Sequence, residues 1–182
     1  MSTPRVIILN GVGSVGKTSV ARSLQAITVE PFLHVAMDAF LEMLPERLIG
    51  YPDGLVFEVT ERNGVIIRSG PVLDHAMRGM RHAVAAMAAQ GNNLIVDEVM
   101  IGSAKGREYR TLLADFDLRF VGLFAPLDVL ETRERARGDR LIGLARWQYE
   151  RVHEGIAYDL EIDTTHLSPV EIARDICHAF RL

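Results

Sequence analysis

Gly11, Gly16, Lys17 and Thr18 stand at the spacing G-x-x-x-x-G-K-T inside VIILNGVGSVGKTSV, residues 6–20. That set of residue types at that spacing suits the holding of a polyphosphate. Along Gly11, Val12, Gly13, Ser14, Val15 and Gly16, and on through Lys17, Thr18 and Ser19, backbone N–H groups can wrap phosphates. Lys17 then neutralises their charge, and the Thr18 hydroxyl ligates Mg2+. Glycine permits the close approach and unusual backbone angles that such a loop needs.

Two carboxylates and a run of arginines could complete a phosphoryl-transfer site. Asp38 follows the apolar stretch FLHVAM, where a carboxylate could accept a proton from an attacking hydroxyl or orient it. The plainer alternative is a helix cap for residues from Ala39 onward. Asp97 closes LIVD, four residues that read as a buried strand ending in an acid that holds magnesium or positions the acceptor hydroxyl; Glu98 is a weaker candidate for the same work. RERARGDR places Arg133, Arg135, Arg137 and Arg140 in eight residues, a pattern that suits a lid closing over transferring phosphate, or simply a cationic helix end. His34, His75, His82, His153, His166 and His178 show no metal-ligand spacing, and His153 and His166, the two nearest the expected nucleotide side, read as structural. No Asn-Lys-x-Asp guanine-reading motif is present, so ATP is the expected donor.

These residues need elements to carry them. The β-branched run Val6–Leu9 reads as a buried strand, with a phosphate-facing helix from Thr18 to about Ile27. Further strands are expected at FLHVA, NLIVDEV, LRFVGLFA and DLEIDTT, with helices at DHAMRGMRHAVAAMAAQG, GREYRTLLADF, LDVLETRERAR and PVEIARDICHAF. Strands alternating with helices predict a doubly wound parallel sheet, in which ligands bind at the carboxyl edge. Residues 45–71 break that rhythm and read as an inserted hairpin turning at Glu61-Arg62-Asn63-Gly64, beside the active edge. Met77, Met80 and Met87 read as core.

At 182 residues with 48% hydrophobic side chains, the chain can bury one full core, and a single domain over 1–182 is expected, with the lid at about 133–148. The net charge of -4 gives no general attraction to nucleic acid or an anionic membrane. A lone Cys177, no signal peptide and no apolar run of membrane-spanning length together suggest a cytoplasmic protein. An exposed face of the apolar helix after Pro71 could serve a homo-oligomer.

IILNGVGSVGKTS, MDAFLEMLP, LIVDEV, ETRERARGDR and VHEGIAYDLEIDTT together resemble the chloramphenicol phosphotransferase family over nearly the whole chain. The resemblance implies an α/β, three-layer P-loop NTPase fold with a mostly parallel five-stranded sheet, like that of shikimate and nucleoside monophosphate kinases, and a short β-hairpin insertion. It also implies transfer of phosphate from ATP, with Mg2+, to the primary hydroxyl of chloramphenicol or a similar small-molecule acceptor. On that likeness Lys17 holds the donor phosphates, Thr18 the metal, and Asp38 acts as base. Asp97 assists near the acceptor or metal, Arg137 and Arg140 form the lid with Arg133 on the nucleotide, and DTTH, with Thr165, lies near adenine. Two positions depart from the family's expected small hydroxyl residues. Val15 is harmless in a loop that works through its backbone, whereas Ala39 removes a polar contact to the acceptor. Two rivals follow. One is a kinase for an anionic metabolite, using Arg47, Arg68, Arg78 and Arg81 if they point inward; the other is a nucleotide-binding regulatory domain.

Overall fold

A computed structural model describes residues 3–59, 65–138 and 141–182. The expected turn at 61–64 and the lid residue Arg140 lie outside the described residues. In chain order the elements are β1 (Arg5–Asn10), α1 (Lys17–Ile27), β2 (Phe32–Ala36), α2 (Met37–Leu41), a 3-10 turn (Glu46–Leu48), β3 (Leu55–Val59) and β4 (Val65–Ser69). There follow α3 (Pro71–Ala89), β5 (Asn93–Glu98), α4 (Ser103–Leu112), β6 (Asp117–Phe124), α5 (Leu127–Arg137), α6 (Leu144–Tyr149), β7 (Leu160–Asp163) and α7 (Pro169–Phe180).

Five strands form one parallel sheet in the order β2-β5-β1-β6-β7, and β3 with β4 forms a separate antiparallel hairpin. β1 is central, which explains its unbroken apolar run: its alternate residues must bury on opposite faces. Ile7 and Leu9 join the core under α1, α5 and α7, whereas Val6 and Ile8 join the core under α3 and α4. A third, smaller core of Leu44, Leu55, Leu73 and Met77 fastens the hairpin to α3.

The 19-residue α3 spends its apolar face inside the chain through Leu73, Met77, Met80, Val84 and Ala88. Of its large hydrophobic residues only Val72 is exposed, so the face expected to serve a dimer is occupied within the fold. Among the described residues no helix is long and apolar enough to cross a membrane.

Candidate active site

The phosphate loop leaves the central strand at Asn10 and enters α1 at Lys17. Gly16, in the cap position, has φ +99°, a left-handed conformation in which any side chain would be strained. Gly11 serves close approach, because a Cβ there would stand 2.6 Å from the Leu123 carbonyl oxygen. Val12 and Val15 are buried in the core, so the loop hangs by two apolar side chains and keeps its backbone as the working surface. Lys17, only 4% exposed, donates from Nζ to the Gly11 and Val12 carbonyls at 2.9 and 3.0 Å. The Gly13 N–H donates to Gln148 Oε1, while the buried Ser14 hydroxyl has no hydrogen-bond partner among the described residues. Ser19 is exposed on α1.

Sheet register delivers the second group. Asp97 pairs with Leu9 on one side and Ala36 on the other, which brings its carboxylate to the loop. Thr18 Oγ1 donates to Asp97 Oδ2 at 2.6 Å; Lys17 Nζ stands 3.9 Å from Oδ1 and His34 Nε2 3.8 Å from Oδ2. Burial pushes the Asp97 acid upward, but His34, Lys17 and Thr18 together outweigh it and hold the group below the ordinary carboxylate range. An ionised carboxylate touching a hydroxyl suits magnesium, a hard cation that takes few protein oxygens when phosphates and water supply the rest. Among the described residues there is no cluster of three His, Cys, Asp or Glu, which such a site does not require. Glu98 does not join Asp97. Successive strand residues face opposite ways, and Glu98 is fully buried toward Tyr109, where burial raises its acid.

Asp38 opens onto a cavity of about 970 Å³. It lies in the first turn of α2, and Ala36 occupies the cap position, so the capping alternative for Asp38 does not hold. Leu41 of α2, Leu55 and Phe57 of β3, Leu73 of α3 and Trp147 of α6 give the cavity a largely apolar wall, and Arg137 faces it from the end of α5. Met77 belongs both to the hairpin core and to this wall, whereas Met80 is wholly buried. The four arginines of the insertion region divide. Arg78 and Arg81 line the cavity, and Arg81 is 7% exposed with its charge met by Glu108 at 2.6 Å. Arg68 instead pairs with Glu58 on the outer surface at 2.6 Å, and Arg47 lies exposed in the 3-10 turn, off the cavity wall.

The far side of the phosphate loop is built differently. Arg133 is not loose in a lid: it donates to Thr164 Oγ1 at 3.0 Å and to the Thr164 and Thr165 carbonyls at 2.8 and 3.4 Å, tying α5 to the segment after β7. Thr165 donates its N–H and its hydroxyl to Asp163 Oδ1. Next to this segment a second cavity, about 510 Å³, lies between Val12, Phe124, Pro126, His153 and Asp163. His153 stacks on Phe124 at 3.9 Å and meets the Tyr158 hydroxyl at 2.7 Å through Nδ1.

Burial, helped by Lys17, lowers His153 to about 4. The unfolded chain takes up this proton below about pH 6.5, so stability is full above that value and declines as pH falls toward about 4. Partial exposure of the ring limits the loss. In urea unfolding, moving from neutral pH to pH 5 should cost the wild type about 1 kcal/mol more than His153→Phe, which keeps the stack but cannot titrate. Equal slopes in the two proteins would contradict the assignment.

Several site residues have little sequence signal. Asn10, fully buried, donates to the Val152 carbonyl and the Tyr158 hydroxyl at 2.7 and 2.6 Å and accepts the Met100 N–H at 2.8 Å. It thereby rivets the end of β1 to two loops. A polar residue closing an apolar strand was its only mark. His34, Trp147 and Gln148 reach the site through register and through α6, which no local pattern announced.

A family model described as chloramphenicol phosphotransferase-like protein matches residues 4–181. A Mycobacterium tuberculosis protein provisionally named an O-phosphotransferase is 29% identical over 189 aligned positions, covering 100% of this chain and 84% of its own. The Mycobacterium tuberculosis APS kinase, solved with AMPPNP and APS, superimposes with a TM-score of 0.69 at 17% identity, covering 100% of each chain. The tunicamycin resistance protein of Deinococcus radiodurans gives a TM-score of 0.68 at 21% identity over 98% of this chain and 96% of its own. These two likenesses bear out the expected P-loop kinase fold.

Proposed function

We propose, because this chain belongs to the chloramphenicol phosphotransferase-like family, that it moves the γ-phosphoryl group of ATP to a hydroxyl of a small molecule with an apolar body, chloramphenicol being the first candidate. The observation that carries the reading is one of convergence. Asp38 and Arg137, 99 residues apart in sequence, line one cavity that reaches the phosphate loop at Gln148.

In this mechanism the phosphate-loop amides and Lys17 hold the donor phosphates. Thr18 and Asp97 would hold magnesium, which when bound neutralises charge on the phosphates. Asp97 takes the metal side because it touches Thr18 and does not line the large cavity. Asp38 orients the acceptor hydroxyl and takes its proton as the oxygen bonds to phosphorus and the bond to the β-phosphate oxygen breaks. ADP and a phosphate ester leave, and Asp38 returns its proton to water. Arg137 balances charge on the phosphoryl group in flight, with Arg140 assigned the same task, while Arg133 and Thr165 border the nucleoside end.

A second reading has its own support, since Arg78, Arg81 and Lys105 stand on the cavity wall and suit an acceptor bearing a carboxylate or phosphate. Glu42 and Asp74 on the same wall, and Glu108 on Arg81, offset that charge and favour the apolar acceptor. Mass spectrometry of chloramphenicol after incubation with the protein and Mg-ATP, beside a Lys17→Ala control, tests the choice. Phosphorylated drug absent from the control is the expected result. Unmodified drug, with phosphate instead appearing on a hydroxylated carboxylate or sugar phosphate, would move the assignment to the second reading.

A further inference from the structure

Helix α6 meets the phosphate loop at one polar point. Gln148, 5% exposed, accepts the Gly13 N–H on Oε1 at 2.7 Å. The start of the helix is fixed independently: Glu134 of α5, 3% exposed, accepts the Gly143 and Ala145 N–H groups at 2.9 and 2.7 Å. Between these anchors Leu144 and Trp147 form part of the acceptor-cavity wall. One short helix therefore joins α5, the acceptor cavity and a phosphate-loop amide.

The Gly13 N–H is a single donor in a cradle whose usual guests are phosphate oxygens. A glutamine carbonyl and a phosphate oxygen compete for that one proton. Glutamine is also the side chain that can serve both outcomes, since it carries an acceptor and an NH₂ donor at the same end. A carboxylate could only accept, and an ammonium could only donate.

We propose that Gln148 is a positioning residue that reads the γ-phosphate and relays its presence to the acceptor cavity. In one arrangement Oε1 holds the Gly13 N–H and α6 stands as described. In the other, a γ-oxygen takes the Gly13 N–H, the Gln148 amide turns to donate from Nε2 to that phosphate, and Leu144 and Trp147 shift with the helix to shape the acceptor wall. Once the phosphoryl group has moved, ADP offers no oxygen at that point and Gln148 returns to Gly13. The inference rests on ATP being the donor.

Gln148→Glu separates this role from simple packing, because it keeps the side-chain length and the acceptor for Gly13 while it removes the donor and adds a negative charge. Calorimetry should find ADP affinity within about twofold of wild type, and affinity for a non-hydrolysable ATP analogue reduced about tenfold or more by like-charge repulsion. Trp147 is the chain's only tryptophan, so its emission reports the cavity wall directly. That emission should differ between the ADP-loaded and analogue-loaded wild type, and the difference should vanish in Gln148→Ala. An unchanged ratio of ADP to analogue affinity in Gln148→Glu, or an equal loss for both nucleotides, would overturn the proposal. A wild type that binds neither nucleotide would instead bring down the ATP reading itself, and this inference with it.

Discussion

Asp38→Asn is expected to lower turnover of the accepted alcohol by about 10²–10⁴-fold while leaving affinity for an ATP analogue within about twofold. Asparagine matches the shape of aspartate and sits equally well in the first turn of α2, where Ala36 holds the cap position. What it cannot do is take a proton. The transition state of phosphoryl transfer is loose, so much of the base's work is to orient the hydroxyl, and an amide that still orients would place the loss near the lower end of the range. Steady-state kinetics on the acceptor, with binding of the analogue measured separately, gives both numbers. Full turnover in the variant would place the base elsewhere on the cavity wall.

Lys17→Ala should act on two properties at once. Phosphoryl transfer should fall by about 10³-fold, the scale expected when a preorganised group facing developing charge is removed. The fold should weaken as well, because Nζ satisfies the Gly11 and Val12 carbonyls and stands 3.9 Å from Asp97. Two carbonyls and a carboxylate would lose their shared cation, at a cost of about 1–3 kcal/mol in urea unfolding at neutral pH. The pH dependence distinguishes this cause from general damage. Lys17 helps hold the Asp97 acid below its ordinary value, so the ionised carboxylate contributes stability at neutral pH that is lost as pH falls through the folded value. In Lys17→Ala that contribution shrinks, and the gap between variant and wild type should narrow in acid. Lys17→Arg should not restore transfer, since a planar guanidinium does not fit a slot that leaves lysine 4% exposed. A variant that unfolds like wild type and still transfers phosphate would refute the assignment of the loop.

The fate of individual arginines shows where reading from sequence stops. Arg68 and Arg78 look alike in the chain, both basic and both near the insertion. Val56 pairs with Arg68 across the hairpin, and Glu58 lies close enough to capture the guanidinium on the outer surface. Arg78 and Arg81 share the cavity-facing side of α3 because Met77, Met80 and Val84 turn the rest of that helix into the core. Neither outcome follows from composition; both follow from which face of an element is buried. Helix α6 is a second case. At six residues it is too short to show a periodic pattern, and part of its support is the Glu134 carboxylate reaching it from α5. The sequence offers a lid over about 133–148 there, and the structure adds the anchored helix α6 with Gln148 on the phosphate loop.

By itself the sequence determined the phosphate loop, the parallel sheet with alternating helices, the inserted hairpin and the place of Asp97 at a strand end, with Asp38 just beyond another. Those features are written locally, because glycine spacing, β-branched runs and helical periodicity bias the backbone over a few residues. The tertiary structure alone decided that Asp97 meets Thr18, that Asp38 shares a cavity with Arg137, that Arg133 is tied to the Thr164–Thr165 backbone and that Gln148 occupies Gly13. These meetings join residues from 31 to 135 positions apart. Strand register and the burial of apolar faces select them, and both are properties of the assembled sheet and its cores, which no short window of sequence contains.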